Sequence, residues 1–242
     1  MKKFIKKIVY LLGFKMERIN REFPFRNLLD PVGVEILGER AFQDSCQEIS
    51  GLTLLDTSRL ANLWLLCRLS NPSGNILEIG SYKGGAALHL SNSSPQRKVV
   101  VCDSFVGFDT IDPVLDNNFN RTMFKNTVKK DVEMLFVAHN RSFEVIDGFF
   151  PESCQNREIG PISFVHLDAD TYKSTRESLF YLRNLMITRS LIVLDDYLRK
   201  ADGVIKAVTE FTAEYNDWHC FPLFPGQGLL VHRSWFDGRE HS

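Results

Sequence analysis

Two apolar stretches of this chain each end in paired carboxylates. The stretches 162–167 and 191–194 are followed at once by acidic residues, which are Asp168, Asp170, Asp195 and Asp196. Apolar runs of this length predict buried parallel strands, whose carboxyl ends meet at the sheet edge where open α/β folds bind ligands. Carboxylates that crowd there repel one another unless a cation neutralises them. The pattern therefore predicts a site for Mg²⁺ or Mn²⁺, because both ions favour oxygen ligands.

Individual polar groups near these strand ends could instead serve the fold. Asp170 or Asp196 is placed to cap the helix that follows it, so we expect one of the four carboxylates to stabilise a helix and not the ion. His166 lies inside an apolar stretch. We predict that it is a hydrogen-bonded strand residue, since buried polar groups usually find such partners.

A glycine-rich turn earlier in the chain has the composition of a ligand-binding loop. The predicted strand 75–80 runs into Gly84 and Gly85, which open a helix. Glycine permits positive φ angles and a close approach of the backbone to a ligand. The spacing E-x-G-x-x-x-G-G, which begins at Glu78, is not the dinucleotide pattern G-x-G-x-x-G and suits a ligand without a pyrophosphate. Glu78 would attract a cation here, although a turn that is glycine-rich only for tight folding is the alternative.

Two further strand ends extend this predicted binding site. Strand 99–103 ends at Asp103, where an acidic residue commonly binds a pair of ribose hydroxyls, although an exposed strand end is the alternative. Strand 143–146 turns at Asp147 and Gly148, where such folds place an adenine-binding turn. Between these strands lies a long loop, 104–126, rich in Asp, Asn and Phe. Loops of this length are usually functional, and we expect this one to shape a substrate pocket.

The elements that position these residues alternate between strand and helix patterns. Helices are predicted over 59–69 (capped by Asp56 or Thr57), 86–91, 127–136, 175–185 and 202–215, and a last strand over 228–232. Repeated βα alternation predicts an α/β fold with a doubly wound, mostly parallel sheet. The N-terminal region adds a helical extension to this sheet.

Composition limits the classes of function. The 242 residues carry a formal net charge of -1, so the chain as a whole gives no electrostatic argument for nucleic-acid binding. Its five cysteines are widely spaced, without a CxxC pair or a Cys/His cluster. Neither a zinc site nor a disulfide framework is therefore predicted, and a reducing cytoplasm fits best.

The N-terminus differs from the rest of the chain in charge. Residues 1–26 hold eight Lys or Arg against two Glu. On a helix, one face would be shared by the apolar residues Phe4, Ile5, Ile8, Leu11 and Leu12. This basic amphipathic segment could lie on an anionic membrane surface through residues 1–15, at the inner face of the membrane. The alternative is an extra helix that packs on the body or on a second subunit of a homo-oligomer. We expect residues 27–242 to form a single domain.

Four motifs together resemble the macrocin O-methyltransferase family. They are E-I-G-S-Y-K-G-G from Glu78, D-S-F-V-G-F from Asp103, H-L-D-A-D-T-Y-K-S-T from His166 and L-D-D-Y from Leu194. The resemblance covers roughly residues 50–233. It implies a class I, Rossmann-like fold and a Mg²⁺-dependent transfer of a methyl group from S-adenosylmethionine to a hydroxyl of a sugar, glycan or natural product.

The resemblance also implies roles for individual residues. Asp168, Asp195 and Asp196 would hold the metal. The catalytic base would be either Asp168 or another group. Around the cofactor, Glu78, Gly80 and Ser81 would line the methionine and sulfonium end, with Asp103 at the ribose. Ser104, Gly84, Gly85, Asp147 and Gly148 complete the predicted cofactor site. Catechol-type relatives carry a lysine three residues after the first metal aspartate, where this chain has Thr171.

Two other functions fit parts of the pattern. The pair Asp168 and Asp170 also resembles the D-x-D that holds the metal of a nucleotide sugar in glycosyltransferases. A non-catalytic, membrane-associated adaptor could use the N-terminal segment beside a degenerate α/β body. Gly84, Gly85 and the second acidic pair argue against the glycosyltransferase, and the presence of all the acidic positions argues against the adaptor.

Overall fold

A computed structural model describes residues 36–198 and 202–236. Its strands are β1 (Asn75–Ile79), β2 (Val99–Asp103), β3 (Phe143–Asp147), β4 (Ile162–Leu167), β5 (Met186–Leu194), β6 (Trp218–Leu223) and β7 (Gln227–His232). Its helices are α1 (Arg40–Glu48), α2 (Thr57–Leu69), α3 (Gly85–Ser93), α4 (Lys129–Ala138), α5 (Tyr172–Leu182) and α6 (Asp202–Glu214). Two 3-10 turns span Glu152–Cys154 and Arg233–Trp235. The predicted basic segment 1–26 lies outside the described residues.

The seven strands form one sheet with the order β3-β2-β1-β4-β5-β7-β6. Strands β1 to β5 are parallel, while β7 runs antiparallel to both β5 and β6. The mostly parallel, doubly wound sheet predicted from the sequence is confirmed. The strand order reverses between β1 and β4, so a crevice is expected at the carboxyl ends of these two strands.

Side chains of alternate strand residues enter two separate cores, one on each face of the sheet. Leu77 and Val165 pack on one face with residues of α5 and α6. Ile76 and Phe164 pack on the other face with residues of α2, α3 and α4. Because both faces are covered, the central strands are apolar almost throughout and the polar groups collect at their ends.

Tertiary contacts shift some elements from their predicted bounds. The cap of α2 is confirmed, since Asp56 Oδ1 accepts hydrogen bonds from the backbone N–H groups of Ser58 (3.0 Å) and Arg59 (3.1 Å). Helix α5 begins at Tyr172 and not at Thr175, because the buried Asp116 accepts a hydrogen bond from the Tyr172 N–H at 2.9 Å. A cap supplied from 56 residues away leaves no signal in the local sequence.

Strand β6 was not predicted, and β5 begins five residues before the predicted stretch. The β6 sequence contains Pro222 and mixed polarity, which hide the pattern of a strand. Proline is tolerated because β6 is the edge strand and pairs with β7 alone. No helix in the described part of the chain is long and apolar enough to cross a membrane.

Candidate active site

A cavity of about 470 Å³ opens at the carboxyl ends of the parallel strands. Its walls include nine residues that the sequence predicted for the site, namely Glu78, Gly80, Ser81, Asp103, Ser104, Gly148, Asp168, Asp195 and Asp196. Three predicted residues lie outside the cavity lining. Gly84 and Gly85 build the turn into α3, and Asp147 is exposed at the end of β3. The topology thus brings the ends of β1, β2, β4 and β5 into one crevice.

The turn after β1 requires glycine at Gly80. Its φ is 81°, and a Cβ there would stand 2.0 Å from the carbonyl oxygen of Asp168. The turn after β1 therefore packs directly against the turn after β4. Gly85 has a packing role as well, since an added Cβ would stand 2.6 Å from the backbone of Leu52. This contact holds the segment Leu52–Leu55 over the glycine-rich turn, and part of that segment lines the cavity.

Asp103 joins two loops of the predicted cofactor site. Its Oδ2 accepts hydrogen bonds from the Ser81 N–H (2.7 Å), the Ser81 hydroxyl (3.2 Å) and the Tyr82 N–H (3.0 Å). Its Oδ1 accepts one from the Phe105 N–H at 2.8 Å. Tyr82 and Phe105 both have positive φ, at 51° and 54°. Residues other than glycine rarely adopt this backbone conformation, so the Asp103 carboxylate holds two strained turns in place.

Glu78 and His166 form a fully buried pair on neighbouring strands beneath the cavity. His166 Nδ1 lies 3.0 Å from Glu78 Oε1, and the two residues face each other in the β1/β4 register. Burial disfavours the charged imidazole, but the nearby Glu78 carboxylate outweighs this and raises the pKa of His166 to about 9. The prediction that His166 is a hydrogen-bonded strand residue is confirmed. Glu78 Oε2, in a residue that lines the cavity, has no hydrogen-bond partner in the described protein.

Three carboxylates converge in the cavity at the ends of β4 and β5. One oxygen from each of Asp168, Asp195 and Asp196 lies within 4.8 Å of the others. Burial, followed by repulsion from Asp195 and Asp170, raises the pKa of Asp168 well above its usual value. Burial and Asp196 raise the pKa of Asp170 in the same way. The oxygen-only donor set and the mutual repulsion fit a divalent cation that would bring these charges together.

Two of the acidic residues have an unusual backbone conformation. Asp170 and Asp196 have φ angles of 59° and 56°, in the left-handed region that Asp tolerates better than most residues. Asp195, at 4% exposure, is held at both oxygens. Its Oδ2 accepts a hydrogen bond from Arg59 Nη1, and its Oδ1 accepts one from Gln227 Nε2 at 3.1 Å. Arg59 and Gln227 were not predicted for the site, and no local signal marks them because Arg59 lies 136 residues from Asp195.

Aromatic side chains form another wall of the cavity. Phe108 and Phe124 line it from the loop 104–126, and Phe149 and Phe150 line it from the turn after β3. The ring of Phe124 makes edge contacts with Tyr82 at 5.9 Å and with Phe108 at 5.7 Å. The prediction that this loop shapes the pocket agrees with these positions.

The middle of the loop 104–126 is tied to the two helices that follow the acidic strand ends. Asp116 accepts from Tyr172 N–H at the start of α5, and its Oδ2 accepts from the Asp112 N–H at 2.9 Å. The Gly203 N–H of α6 donates to the carbonyl of Leu115 at 3.2 Å. Gly203 is required there, since a Cβ would stand 2.2 Å from Asp116 Oδ1.

Comparisons with known proteins agree with this geometry. The chain is 21% identical over 156 residues to an 8-demethyl-8-(2,3-dimethoxy-alpha-L-rhamnosyl)-tetracenomycin-C 4'-O-methyltransferase of Streptomyces olivaceus. It is 23% identical over 161 residues to a demethyldecarbamoylnovobiocin O-methyltransferase of Streptomyces niveus. These matches cover 59% and 61% of this chain and the same shares of the two relatives, so the chain matches about three fifths of each.

Solved structures share the fold. The chain resembles the S-adenosylhomocysteine-bound Podospora anserina methyltransferase PaMTH1 with a TM-score of 0.58 at 14% identity, over 90% of this chain and 98% of that one. The family model described as Macrocin-O-methyltransferase (TylF) matches residues 43–217, well over half of the sequence. That span contains all four motifs and the carboxyl ends of β1 to β5. The chain therefore belongs to the macrocin O-methyltransferase family.

Proposed function

We propose that this protein is an S-adenosylmethionine-dependent O-methyltransferase that uses Mg²⁺ or Mn²⁺ to methylate a hydroxyl of a sugar, glycan or related natural product. The observation that carries the proposal is the pairing of two unlike sites in one cavity. A glycine turn with an unpartnered Glu78 oxygen lies on one side, and three converging carboxylates lie on the other. Family membership supports methyl transfer over the glycosyltransferase and adaptor alternatives.

The glycine turn suits S-adenosylmethionine, which supplies the methyl group as part of a sulfonium cation. Glu78 Oε2 offers an unpaired acceptor for the positive end of that cofactor. Gly80 lets the backbone pass close to the turn after β4, so the cofactor end and the acidic residues are only one turn apart. Asp103 and Ser104 line the part of the cavity proposed for the ribose, and Gly148 lines the part proposed for the adenine.

Asp168, Asp195 and Asp196 would hold the metal ion. A bound divalent ion would lower the pKa of an acceptor hydroxyl and orient its oxygen toward the methyl donor. Asp168 would accept the hydroxyl proton. S-adenosylmethionine would supply the methyl group to the acceptor oxygen, and the electron pair of the broken bond between sulfur and the methyl carbon would stay on sulfur. With Thr171 in place of a lysine, we propose Asp168, which lines the cavity, as the base.

The acceptor is proposed from the aromatic wall and from the relatives. Phe108, Phe124, Phe149 and Phe150 offer apolar faces on which a sugar ring or an aromatic scaffold can pack. The names of the two relatives specify a rhamnosyl tetracenomycin and a novobiocin precursor as what those proteins methylate. We propose the same class of small-molecule or glycan acceptor here.

All five cysteines are free thiols, which agrees with the proposed cytoplasmic location.

Methyl transfer from radiolabelled cofactor tests the proposal. The protein is incubated with S-adenosyl-[methyl-³H]methionine, Mg²⁺ and a fractionated cell extract, and the labelled product is identified. Asp168→Ala should lose turnover yet bind S-adenosylhomocysteine in calorimetry with an affinity close to that of the wild type. Asp131→Ala, which removes an exposed carboxylate from the first turn of α4, is the matched control and should keep full activity. Full activity of Asp168→Ala, or of the wild type in excess chelator, would show that the metal role is wrong.

A further inference from the structure

Arg59 stands out as a buried cation that the proposed chemistry does not use. Its side chain is 7% exposed and lies in the first turn of α2, at the wall of the cavity. Among the described residues that line the cavity, Arg59 is the only Lys, Arg or His. The acidic residues in the same lining number six and are Glu78, Asp103, Asp168, Asp170, Asp195 and Asp196. The electrostatic balance of the cavity therefore depends strongly on one guanidinium.

Each of the three guanidinium nitrogens donates a hydrogen bond, and these contacts reach two different parts of the site. Nη1 donates to Asp195 Oδ2 at the end of β5. Nε donates to Asp56 Oδ2 at 3.3 Å, and Nη2 donates to the carbonyl oxygen of Leu54 at 3.0 Å. Asp56 is the cap of α2, and Leu54 belongs to the wall segment that packs on the glycine-rich turn. One side chain thus joins the sheet edge with the acidic residues to the wall on the cofactor side.

The charge of Arg59 acts on the acidic residues as a group. Burial disfavours the charged guanidinium, but Asp195, then Asp56, Asp168 and Asp196 outweigh it and raise the pKa of Arg59. A guanidinium stays charged under all ordinary conditions. Removing one partner from a buried ion pair leaves an uncompensated charge, which destabilises a protein far more than the loss of an exposed pair.

Gln227 completes the support of Asp195 on the other oxygen. Its Nε2 donates to Asp195 Oδ1, and its own Oε1 accepts from Asn62 Nδ2 at 3.0 Å. Asn62 also lies on α2, so both oxygens of Asp195 are linked to this helix, one directly and one through Gln227. The orientation of Asp195 is therefore set by α2 before any ligand arrives.

We propose that Arg59 is the resident counter-ion of the acidic site, a positioning residue that keeps Asp195 in place and the cavity wall attached when no divalent ion is bound. The part of the proposal that concerns the ion rests on the metal role proposed above. The part that concerns the metal-free protein does not, since it follows from the charges and hydrogen bonds of the chain. Loss of Arg59 should make the folded protein depend on a divalent cation.

Thermal unfolding of Arg59→Met, with and without Mn²⁺, tests this proposal. Methionine keeps much of the apolar length and removes the charge. The metal-free variant should melt roughly 5–15 °C below the wild type. Saturating Mn²⁺ should raise its melting temperature by more than it raises that of the wild type. The matched control is Arg68→Met on the same helix, whose pair with Glu39 is about half exposed and whose loss should shift melting by about 2 °C or less.

A double variant distinguishes charge compensation from simple packing. Adding Asp195→Asn to Arg59→Met removes both charges, so the metal-free melting temperature should recover most of the loss and the extra response to Mn²⁺ should vanish. Equal melting of Arg59→Met and Arg68→Met, or a double variant that is no more stable than Arg59→Met, would overturn the proposal. If Arg59→Met alone does not fold, a folded double variant supports the proposal and an unfolded one overturns it.

The same measurements separate this proposal from the proposed function. A wild-type protein that shows neither a response to Mn²⁺ nor methyl transfer would contradict the proposed function. The metal-free melting temperatures of Arg59→Met and of the double variant would still decide the role of Arg59.

Discussion

Asp103 and Asp196 stand at the carboxyl ends of parallel strands, yet their surroundings are opposite. Asp103 accepts four hydrogen bonds, three of them from backbone N–H groups of two loops. Asp196 follows β5 and faces Asp168 and Asp170, whose pKa values burial and repulsion raise well above normal. The same residue type at the same kind of position therefore lies among backbone donors in one half of the cavity and among other carboxylates in the other.

The difference separates two uses of a strand-end carboxylate. Asp103 stabilises the fold because it accepts hydrogen bonds from backbone N–H groups. Without Asp103 those donors would lose their partner, which is costly for a buried group. Carboxylates that repel one another raise the free energy of the folded protein when no metal is bound. A bound cation would remove that repulsion and lower the free energy. Such strain at a functional site is typical of residues retained for chemistry and not for stability. The comparison predicts opposite responses of the two halves to mutation.

The largest effect should come from Asp196→Asn. This change keeps the shape of the side chain, removes one charge from the acidic side and weakens the proposed metal site. Turnover should fall by more than the roughly 100-fold that loss of an outer-shell metal partner costs. The melting temperature of the metal-free protein should stay equal or rise, because repulsion is relieved. A methyl-transfer assay and a thermal scan measure both effects, and a clear fall in metal-free stability would contradict the comparison.

Asp103→Ala should act in the opposite way. The N–H groups of Ser81, Tyr82 and Phe105 lose their acceptor, and the free energy of unfolding should fall by about 2–4 kcal/mol. Chemical denaturation measures this loss, and calorimetry should show weaker binding of S-adenosylhomocysteine. Asp103→Asn keeps one carbonyl acceptor and should recover part of the stability. Unchanged stability of the alanine variant would mean that these hydrogen bonds do not hold the turns.

Gly80→Ala tests the contact that joins the two halves. The new Cβ would meet the carbonyl oxygen of Asp168 at 2.0 Å and would also suffer from the φ of 81°. Gly51→Ala is the matched control, since Gly51 has a φ of 77° with nothing within 4 Å of its added Cβ. The control should cost about 1–2 kcal/mol of stability through its backbone conformation alone. Gly80→Ala should cost measurably more in denaturation and should weaken cofactor binding, whereas equal losses would show that the turns are free to separate.

The smallest effect should come from the aromatic wall, which contains neither Asp103 nor the clustered carboxylates. Phe124→Leu removes two edge contacts and leaves the charged groups untouched. The KM for the acceptor should rise by about 2- to 10-fold, as expected for aromatic contacts worth roughly 0.5–1.5 kcal/mol, with the Kd of S-adenosylhomocysteine unchanged. Steady-state kinetics at saturating cofactor gives the first value and calorimetry the second. A change in cofactor affinity that matches the change in KM would place Phe124 at the cofactor instead.

A strand that ends in a distinctive residue can be recognised from the sequence. The strand ends predicted that Asp168, Asp170, Asp195 and Asp196 would lie at one edge of the sheet, because parallel strands place such ends together. The choice of Asp168, Asp195 and Asp196 among them came from the family resemblance, and these three carboxylates do lie close together in the structure. The sheet and its doubly wound order followed from the same alternation. These sequence patterns are local, so they can be recognised without knowing which strands are neighbours in the sheet.

The parts that could not be predicted depend on contacts between distant segments. Arg59 reads as an ordinary residue in the first turn of a helix, and nothing near it indicates Asp195. Asp116 sits in an irregular loop, although it moves the start of α5 by three residues. Gln227 opens a strand whose partner β6 was itself hidden by Pro222. In each case the polar side chain is recognised only by its distant partner.

The fastening of the loop 104–126 at Asp116 has a consequence for engineering. The hydrogen bond of Asp116 near the middle divides the 23-residue loop into two shorter segments, which we call arms, and each arm is anchored to ordered structure at both ends. Closing a short arm costs little more chain entropy when a few residues are added, so each arm can change length independently. The arm after Asp116 carries Phe124, and the arm before Asp116 carries Phe108. Libraries that vary one arm while keeping Asp116 and Gly203 should diversify the choice of acceptor without unravelling the start of α5.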